Sequence, residues 1–287
     1  MEIALQFGAK TWLMGIVNVT PDSFSGDGIA LPNRSEEEIV AAALDQARAF
    51  VAAGAEIIDV GAESTRPRAV YGEHPEIDAE TEAALAVPVV AALAHDLAGR
   101  ALVSIDTSKG SVARAALAAG AVIVNDVWAA QRDPGTAEAA ASSGAHLVLM
   151  HNKEVADYPD GLMTTVIAWL RRAADDAIRA GVPRAHLLAD PGIGFGKTPA
   201  QSIELLHRLA EVKAAVGLPL VVGTSRKRFI GEILGGLPAD ERVEGTAATV
   251  ALAIAAGADV VRVHDVAHMA RTIRVADAII RVQPGMG

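Results

Sequence analysis

The sequence contains no cysteine. A protein without cysteine has no disulfide framework, no thiolate metal site and no cysteine nucleophile, which favours a reducing compartment, so we expect the protein in the cytoplasm. Aromatic residues are also scarce, at 3% of 287 residues, although 51% of the side chains are apolar. A core of this composition must be built from many small contacts among Ala, Val, Ile and Leu.

Positive charge is in deficit, with 25 Lys and Arg against 35 Asp and Glu and a formal net charge of −10. Such a chain has no global field that would draw it onto nucleic acid or an anionic membrane surface. We therefore expect neither nucleic acid nor a membrane among its partners. An anionic ligand would need a local cluster of basic side chains.

Long hydrophobic runs are missing as well. The two longest uncharged stretches, 139–152 and 245–258, have 14 residues each, whereas a membrane-spanning helix needs about 20 apolar residues. The N-terminus has an acidic Glu2 and no basic region ahead of an apolar run. The sequence therefore predicts neither a membrane span nor a secretory signal.

One pattern recurs along the chain: an Ala-rich helical segment, a small residue, a glycine and a short β-branched run. It occurs as AAGAEIIDVG (52–61), AAGAVIVNDV (118–127), SSGAHLVLMH (142–151), AVGLPLVVG (215–223) and AAGADVVRVHD (255–265). Glycine ends helices because it readily takes the left-handed conformation at the C-terminal cap. Five glycines are predicted to end helices in this way: Gly54, Gly120, Gly144, Gly217 and Gly257.

The apolar runs after these glycines are continuous rather than alternating, which is typical of parallel strands buried on both faces. Three further runs, 12–19, 102–106 and 187–190, raise the number of predicted strands to eight. Helices are predicted between them at 36–53, 77–97, 161–180, 199–216, 241–256 and 266–282. A barrel of eight such units needs about 250 residues. We predict one (β/α)8 TIM barrel forming a single domain over 1–287, with a doubly wound α/β sheet of six or seven strands as the alternative.

Polar side chains follow several predicted strands, at the end where a parallel barrel carries its catalytic groups. Two acids and an amide, Asp106, Asn125 and Asp190, end three of the strands. Carboxylate and amide groups together match the donor and acceptor edges of a flat heterocycle. These three residues therefore predict a heterocycle pocket at the mouth of the barrel.

Basic residues occur at the same strand ends: Arg66, Arg226 with Lys227, and Arg262 with His264. Arginine binds phosphate oxygens in a bidentate manner, so this cluster predicts an anion site in an otherwise acidic protein. The run 226–228 taken alone is typical of a solvated charged face.

The glycine-rich segment DPGIGFGK (190–197) matches neither the dinucleotide-binding nor the P-loop pattern. It predicts a loop with one aromatic residue, Phe195, that can cover a ligand. His151 stands without a second histidine at metal-ligand spacing, which favours packing or hydrogen bonding over metal binding.

Seven sequence blocks together resemble the dihydropteroate synthase family. They are MGIVNVTPDSFSGDG (14–28), ESTRP (63–67), SIDTSK (104–109), VNDV (124–127), DPGIGFGK (190–197), GTSRKRFIG (223–231) and RVHDV (262–266). The resemblance implies a (β/α)8 barrel that joins 6-hydroxymethyl-7,8-dihydropterin diphosphate to 4-aminobenzoate. The products would be 7,8-dihydropteroate and diphosphate, in folate biosynthesis. A homodimer is also implied.

The resemblance also implies roles for individual residues. The pterin would be bound by Asp106, Asn125, Asp190, Lys227 and Arg262, and the diphosphate by Arg66, Arg262 and His264. Thr65, Pro67, Phe195, Lys227 and Ser225 would border the 4-aminobenzoate. Asn18 would be the protein ligand of a Mg2+ cofactor, a hard cation that keeps most of its waters.

The sequence departs from the family pattern in its loops. Asp27 is displaced by one place from the acid that approaches the metal, and Arg68 replaces a frequent glycine. Arg228 replaces a small hydroxyl residue near the aminobenzoate carboxylate, and 152–154 lack a short glycine-containing turn. None of these changes removes a residue expected to bind the pterin or the diphosphate.

Three alternatives remain. A methyltetrahydrofolate methyltransferase has a similar pterin-binding barrel but does not need the anion cluster. An aldolase would form a Schiff base on Lys227. A paralogue that binds a pterin without turnover is suggested by the altered first loop.

Overall fold

The computed structural model describes residues 5–20, 28–30, 33–63 and 76–281. Its centre is a sheet of eight parallel strands in the order β6-β5-β4-β3-β2-β1-β8-β7. The strands are β1 (Trp12–Asn18), β2 (Ile57–Gly61), β3 (Leu102–Asp106), β4 (Ile123–Asp126), β5 (His146–Met150), β6 (Leu187–Asp190), β7 (Val221–Val222) and β8 (Val260–Val263). All eight lie within the runs that the sequence predicts as strands.

A parallel bridge between Ala189 and Leu220 joins β6 to β7, the two ends of the sheet order. The sheet is thereby closed into a barrel, whereas a doubly wound sheet would leave two free edges. The predicted (β/α)8 barrel is confirmed. Strand β7, at one end of the sheet order, is only two residues long.

The described residues include ten α-helices outside the barrel. They are α1 (Glu36–Ala53), α2 (Ala79–Asp96), α3 (Gly110–Ala118), α4 (Gly135–Ser143), α5 (Leu162–Arg179), α6 (Pro199–His207), α7 (Leu209–Val216), α8 (Arg228–Ile233), α9 (Val243–Ala255) and α10 (Val266–Ile280). Short 3-10 helices span Arg184–His186 and Ala239–Glu241. No described helix is both long enough and apolar enough to span a bilayer.

Local sequence explains where many of these helices begin and end. Ser35 starts α1 with a capping box, in which Ser35 and Glu38 each accept from the other's backbone N–H. All five predicted helix-ending glycines have positive φ, from 64° at Gly217 to 114° at Gly54. The single helix predicted over 199–216 is wrong: it is interrupted at Arg208, whose φ of −102° and ψ of 20° leave the helical region.

The barrel strands are buried on both faces, and alternate residues face opposite sides. One set packs with the helices in a large outer core that includes Ile58, Val124 and Val261. The other set forms a smaller cluster inside the barrel, which includes Ile57, Ile123, Leu188 and Val260. Two residues further along the same strands stand Asp59, Asn125, Asp190 and Arg262. The strand period therefore places these four polar residues in the interior, above an apolar floor.

Candidate active site

A guanidinium held between two carboxylates forms the centre of the barrel mouth. Arg262 donates from Nε to Asp59 Oδ2 at 2.6 Å and from Nη2 to Asp106 Oδ2 at 2.7 Å. Asn125 donates from Nδ2 to the same Asp59 oxygen at 3.0 Å. Strands β2, β3, β4 and β8 are thus joined by four side chains. Three of the predicted pterin-binding residues, Asp106, Asn125 and Arg262, lie together here.

Burial determines the protonation of this cluster. It raises the pKa of Asp106 to about 8, against the opposing charge of Arg262. Burial also works to lower the pKa of Arg262, but the neighbouring carboxylates outweigh it and the pKa is raised. The second oxygens of Asp59 and Asp106 are buried and have no hydrogen-bond partner among the described residues. Asp106 Oδ1 is therefore available for a ligand N–H.

Asp190 ends β6 on the same inner face, with its Cα in register with Met150 of β5. Its Oδ1 accepts from the Gly192 backbone N–H at 2.7 Å. Burial raises its pKa to about 6, although the Gly192 hydrogen bond and the charges of Lys227, Lys197 and Arg262 act in the opposite direction. Asp190 is therefore subject to the charges of basic groups on the loop that follows it, on the loop after β7 and on β8.

Lys227 lies beside Phe195, with its ammonium nitrogen 3.9 Å from the ring centroid. A cation over an aromatic face is attracted by the ring quadrupole. The loop after β6, which carries Phe195, therefore meets the loop after β7, which carries Lys227. Two of the residues expected to border the aminobenzoate are in contact.

Ser225 and His264 form a second contact between neighbouring loops. Ser225 Oγ accepts from the His264 backbone N–H at 3.1 Å and lies 3.0 Å from His264 Nδ1. The left-handed Arg226, with φ of 58°, pairs through its guanidinium with Asp265 at 2.7 Å. Arg228 pairs with Glu232 on the exposed side of α8. The run 226–228 thus holds one side chain over Phe195, and two side chains in ion pairs.

Asn18 ends β1, where its Cα pairs with Gly61 and its carbonyl accepts from the Ile29 N–H at 2.9 Å. Two residues further on, the Thr20 hydroxyl is buried without a hydrogen-bond partner among the described residues. Thr65, Arg66 and Pro67 lie outside the described residues, as do Asp27 and Arg68.

The sequence matches the model of a family described as pterin binding enzymes over residues 14–264. It is 41% identical to dihydropteroate synthase of Bacillus subtilis over 277 residues, which cover 96% of this chain and 91% of that protein. It is 42% identical to dihydropteroate synthase of a Synechocystis species, over 98% of this chain and 94% of that protein.

The chain belongs to the dihydropteroate synthase family.

Solved members of the dihydropteroate synthase family have the same fold. The Clostridium difficile enzyme, solved in the presence of pteroic acid, superposes with a TM-score of 0.88 at 38% identity, covering 97% of this chain and all (100%) of that one. The Xanthomonas albilineans enzyme with 4-aminobenzoic acid superposes with a TM-score of 0.84 at 37% identity, covering 96% of this chain and 94% of that one. The expected family, the transferase class and the place in folate biosynthesis are confirmed.

The structure adds two buried residues to the site, Asp59 and Lys197, to which the sequence motifs assign no role. Asp59 is fully buried and binds both Arg262 and Asn125. The sequence feature that could have located Asp59 is a single acid inside the apolar run IIDVG, two positions after the inward-facing Ile57. Lys197 is also buried, and its ammonium lies 2.9 Å from His151 Nδ1. His151 thus has a hydrogen-bonding and packing role, with its ring 5.1 Å from that of Trp169.

Proposed function

We propose that this chain joins 6-hydroxymethyl-7,8-dihydropterin diphosphate to 4-aminobenzoate, forming 7,8-dihydropteroate and diphosphate. The observation that carries the proposal is the buried cluster of Asp59, Asp106, Asn125 and Arg262 at the barrel mouth. It presents carboxylate, amide and guanidinium groups to one pocket, which suits a flat ring with several N–H donors and ring acceptors.

In this proposal Asp106, Asn125, Asp190 and Lys227 hydrogen-bond the pterin, and Arg262 lies against its face. Asp59 holds the guanidinium from below by binding its Nε. Together with the contact from Nη2 to Asp106, this bond fixes the plane of the guanidinium. Asp106 loses its proton as ligand N–H groups begin to donate to it. The pocket therefore becomes anionic when it is occupied.

The reaction breaks the bond between the methylene carbon and the diphosphate oxygen and forms a bond from that carbon to the amine nitrogen. The anionic Asp106 and Asp190 stabilise positive charge that spreads over the pterin as the carbon–oxygen bond breaks. Arg66, Arg262 and His264 stabilise the negative charge that gathers on the diphosphate. The arylamine then loses a proton to solvent or to the departing diphosphate.

Asn18 is proposed to hold Mg2+. Its amide oxygen is a hard ligand at the mouth of the barrel. The Thr20 hydroxyl close by is buried and has no hydrogen-bond partner among the described residues, so it is a second oxygen that can face the ion or its waters. A single protein oxygen with several waters is a normal environment for Mg2+. When bound, the ion neutralises part of the diphosphate charge.

The 4-aminobenzoate is proposed to bind among Thr65, Pro67, Phe195, Lys227 and Ser225. The contact between Lys227 and the Phe195 ring supports this assignment, because it creates a surface that is aromatic and cationic at once. Such a surface matches an aromatic ring that carries a carboxylate.

One assay tests the proposed reaction. Diphosphate release is expected to require the pterin diphosphate, 4-aminobenzoate and Mg2+ together, and the product is expected to absorb and elute as dihydropteroate. Binding of the pterin diphosphate without diphosphate release would instead identify a non-catalytic paralogue. Trapping of a carbonyl substrate on Lys227 by borohydride would identify an aldolase.

We also propose a homodimer. Leu252 on α9 and Val275 and Ile279 on α10 are 62%, 61% and 67% exposed, and α9 and α10 pack side by side. A second copy of this chain would cover these apolar side chains. A single domain over 1–287, a cytoplasmic location and the lack of a nucleic-acid partner remain predictions.

A further inference from the structure

The loop after β6 is held from inside by a buried lysine. Lys197, 4% exposed, donates from Nζ to the carbonyl oxygens of Gly192 at 2.8 Å and Phe195 at 2.9 Å, and lies 2.9 Å from His151 Nδ1. The same nitrogen lies 3.5 Å from the His151 carbonyl oxygen, so the three N–H donors of the ammonium are shared among four acceptors. Because the ammonium can only donate, His151 accepts at Nδ1 and carries its proton on Nε2.

The same loop is pressed against the segment that follows β5. A Cβ at Gly192 would stand 1.9 Å from the His151 carbonyl oxygen, and one at Gly196 would stand 2.2 Å from the Lys153 carbonyl oxygen. Tyr158 adds a further tie, donating from its hydroxyl to the Gly196 carbonyl at 2.7 Å. The loop therefore has no room to shift toward β5. Among these contacts, the side chains that donate hydrogen bonds to the loop are those of Lys197 and Tyr158.

The carbonyl that Lys197 binds belongs to Phe195, the residue whose ring faces Lys227. The Phe195 N–H in turn donates to the Gly192 carbonyl at 3.0 Å, and Gly192 donates to Asp190. Lys197 thus binds two carbonyls of a loop whose backbone is also tied to Asp190 through Gly192. These contacts fix the backbone of Phe195, and with it the position from which the ring meets Lys227. The proposed reaction does not use Lys197 directly.

We propose that Lys197 is a positioning residue for 4-aminobenzoate, acting through the backbone of Phe195 to hold its ring against Lys227. This inference rests on the proposed role of Phe195 at the aminobenzoate site. Loss of the ammonium frees two backbone carbonyls that no longer have a buried donor, so the loop relaxes and the ring leaves its place.

The charges around Lys197 are those of Asp190, Lys227 and Lys153, with His151 in direct contact. Burial lowers the pKa of Lys197 to about 7, with Asp190 acting in the opposite direction. A neutral amine keeps two N–H donors for the Gly192 and Phe195 carbonyls, and its lone pair can accept from His151 Nδ1 once the imidazole changes tautomer. Both protonation states of Lys197 can therefore hold the backbone of Phe195, and the proposal depends on the contacts of Nζ rather than on its charge.

The test is a double-mutant cycle of Lys197→Met and Phe195→Ala in the full-length protein, with KM measured for each substrate. Lys197→Met is expected to raise the KM for 4-aminobenzoate by about tenfold or more, since small misplacements at a site have effects of this size or larger. The KM for the pterin diphosphate is expected to change far less. In the Phe195→Ala background, Lys197→Met is expected to add little.

Two further variants keep the test decisive if Lys197→Met folds poorly. Tyr158→Phe removes only the second tie and is expected to raise the same KM by a smaller factor. Lys213→Met removes a different lysine, which is partly buried, pairs with Asp259 and donates to the Leu218 carbonyl away from the site. This control is expected to lower stability without changing either KM.

The outcomes separate the two levels of the proposal. If Phe195→Ala leaves the KM for 4-aminobenzoate unchanged, the assigned role of Phe195 is wrong and the inference falls with it. If Phe195→Ala raises that KM while Lys197→Met and Tyr158→Phe do not, the role of Phe195 stands and the inference is overturned. Equal changes in both KM values in Lys197→Met would also overturn it, because they would indicate a general structural effect.

Discussion

Asp59 accepts a hydrogen bond from Arg262 Nε at 2.6 Å, although the two residues are 203 positions apart in the chain. Their strands, β2 and β8, do not pair with each other but flank β1 on either side. The contact therefore crosses the barrel interior, and it fixes the guanidinium that also binds Asp106.

Replacing Asp59 is expected to damage catalysis without removing any group that touches substrate. In Asp59→Ala, Arg262 loses its Nε acceptor and Asn125 loses the acceptor of its amide. We expect kcat/KM to fall by about 10- to 100-fold, since a hydrogen bond to a charged group contributes about 1.5–3 kcal/mol. Steady-state kinetics measure this change.

Asp96→Ala provides a matched control. Asp96 also binds a guanidinium, that of Arg48, but it does so with both of its oxygens and on the exposed outer helices. Surface ion pairs contribute little, so kcat/KM is expected to remain at the wild-type value. Similar losses in Asp59→Ala and Asp96→Ala would contradict a specific role for Asp59.

Pterin binding is expected to strengthen as the pH rises from 6 to 8. Burial raises the pKa of Asp106 to about 8 and that of Asp190 to about 6, and an ionised carboxylate accepts more strongly from ligand N–H groups than a protonated one does. Isothermal titration in buffers of different protonation enthalpy at pH 7 should therefore detect release of about one proton per pterin bound. Asp106→Asn should abolish that release. A dissociation constant that does not vary with pH would refute the assignment.

Asn18 and Lys227 are expected to give different kinetic signatures. Asn18→Ala should mainly raise the Mg2+ concentration needed for half-maximal activity, because the ion loses its protein ligand. Lys227→Ala should weaken the pterin and aminobenzoate sites together, since it faces both Asp190 and Phe195. Titration of each substrate and of Mg2+ separates these effects. Small and equal changes in the two variants would undermine both roles.

His151 is expected to make stability depend on pH. Burial, with the charge of Lys197, lowers the pKa of His151 to about 2, whereas in the unfolded chain it protonates near its ordinary value of 6.5. The unfolded state therefore binds the extra proton below pH 6.5. The contribution of His151 is complete above pH 6.5 and is lost as the pH falls, at up to about 1.4 kcal/mol per pH unit. Urea unfolding at pH 5, 6 and 7 gives the free energy of unfolding at each pH, which should change less steeply with pH in His151→Gln than in the wild type. The same pH dependence in both proteins would contradict this role of His151.

The proposed homodimer can be broken at one position. Leu252→Glu places a charge on the exposed apolar surface of α9, so light scattering should report a monomer where the wild type is a dimer. Ile178→Glu on α5, at a side chain that is 39% exposed, is a control that should leave the dimer intact. A wild-type monomer would refute the proposal.

Strand period and strand ends predicted eight buried parallel strands and several of the polar residues at the barrel mouth, although the pattern alone left a doubly wound sheet as the alternative. Asp106 and Asp190 end their strands and Asn125 is the last residue but one of β4, so the pattern of apolar runs located them without any contact information. Asp59 follows the same rule, two positions after Ile57, but it lies inside its strand rather than at the end. A search restricted to strand ends therefore missed it.

Lys197 could not be predicted because its acceptors are mostly backbone carbonyls. Their position depends on the left-handed glycines of the loop, and no pattern of side chains records it. The break between α6 and α7 has a similar origin. Apolar periodicity continues through both helices, and Arg208 at the break binds Glu204 and Glu211 on either side, so the sequence resembles one uninterrupted helix.

The shortness of β7 makes the wall of the barrel uneven. Where most neighbouring strands share a ladder of paired residues, β6 and β7 meet at the isolated bridge of Ala189 and Leu220. Amides along this seam are expected to exchange with deuterium sooner than those of β1 and β2, because fewer hydrogen bonds must open together. Asp190 ends β6 at this seam, and the loops that follow β6 and β7 carry Phe195 and Lys227. Local opening of the wall would thus begin directly beneath the residues that are proposed to bind the two substrates.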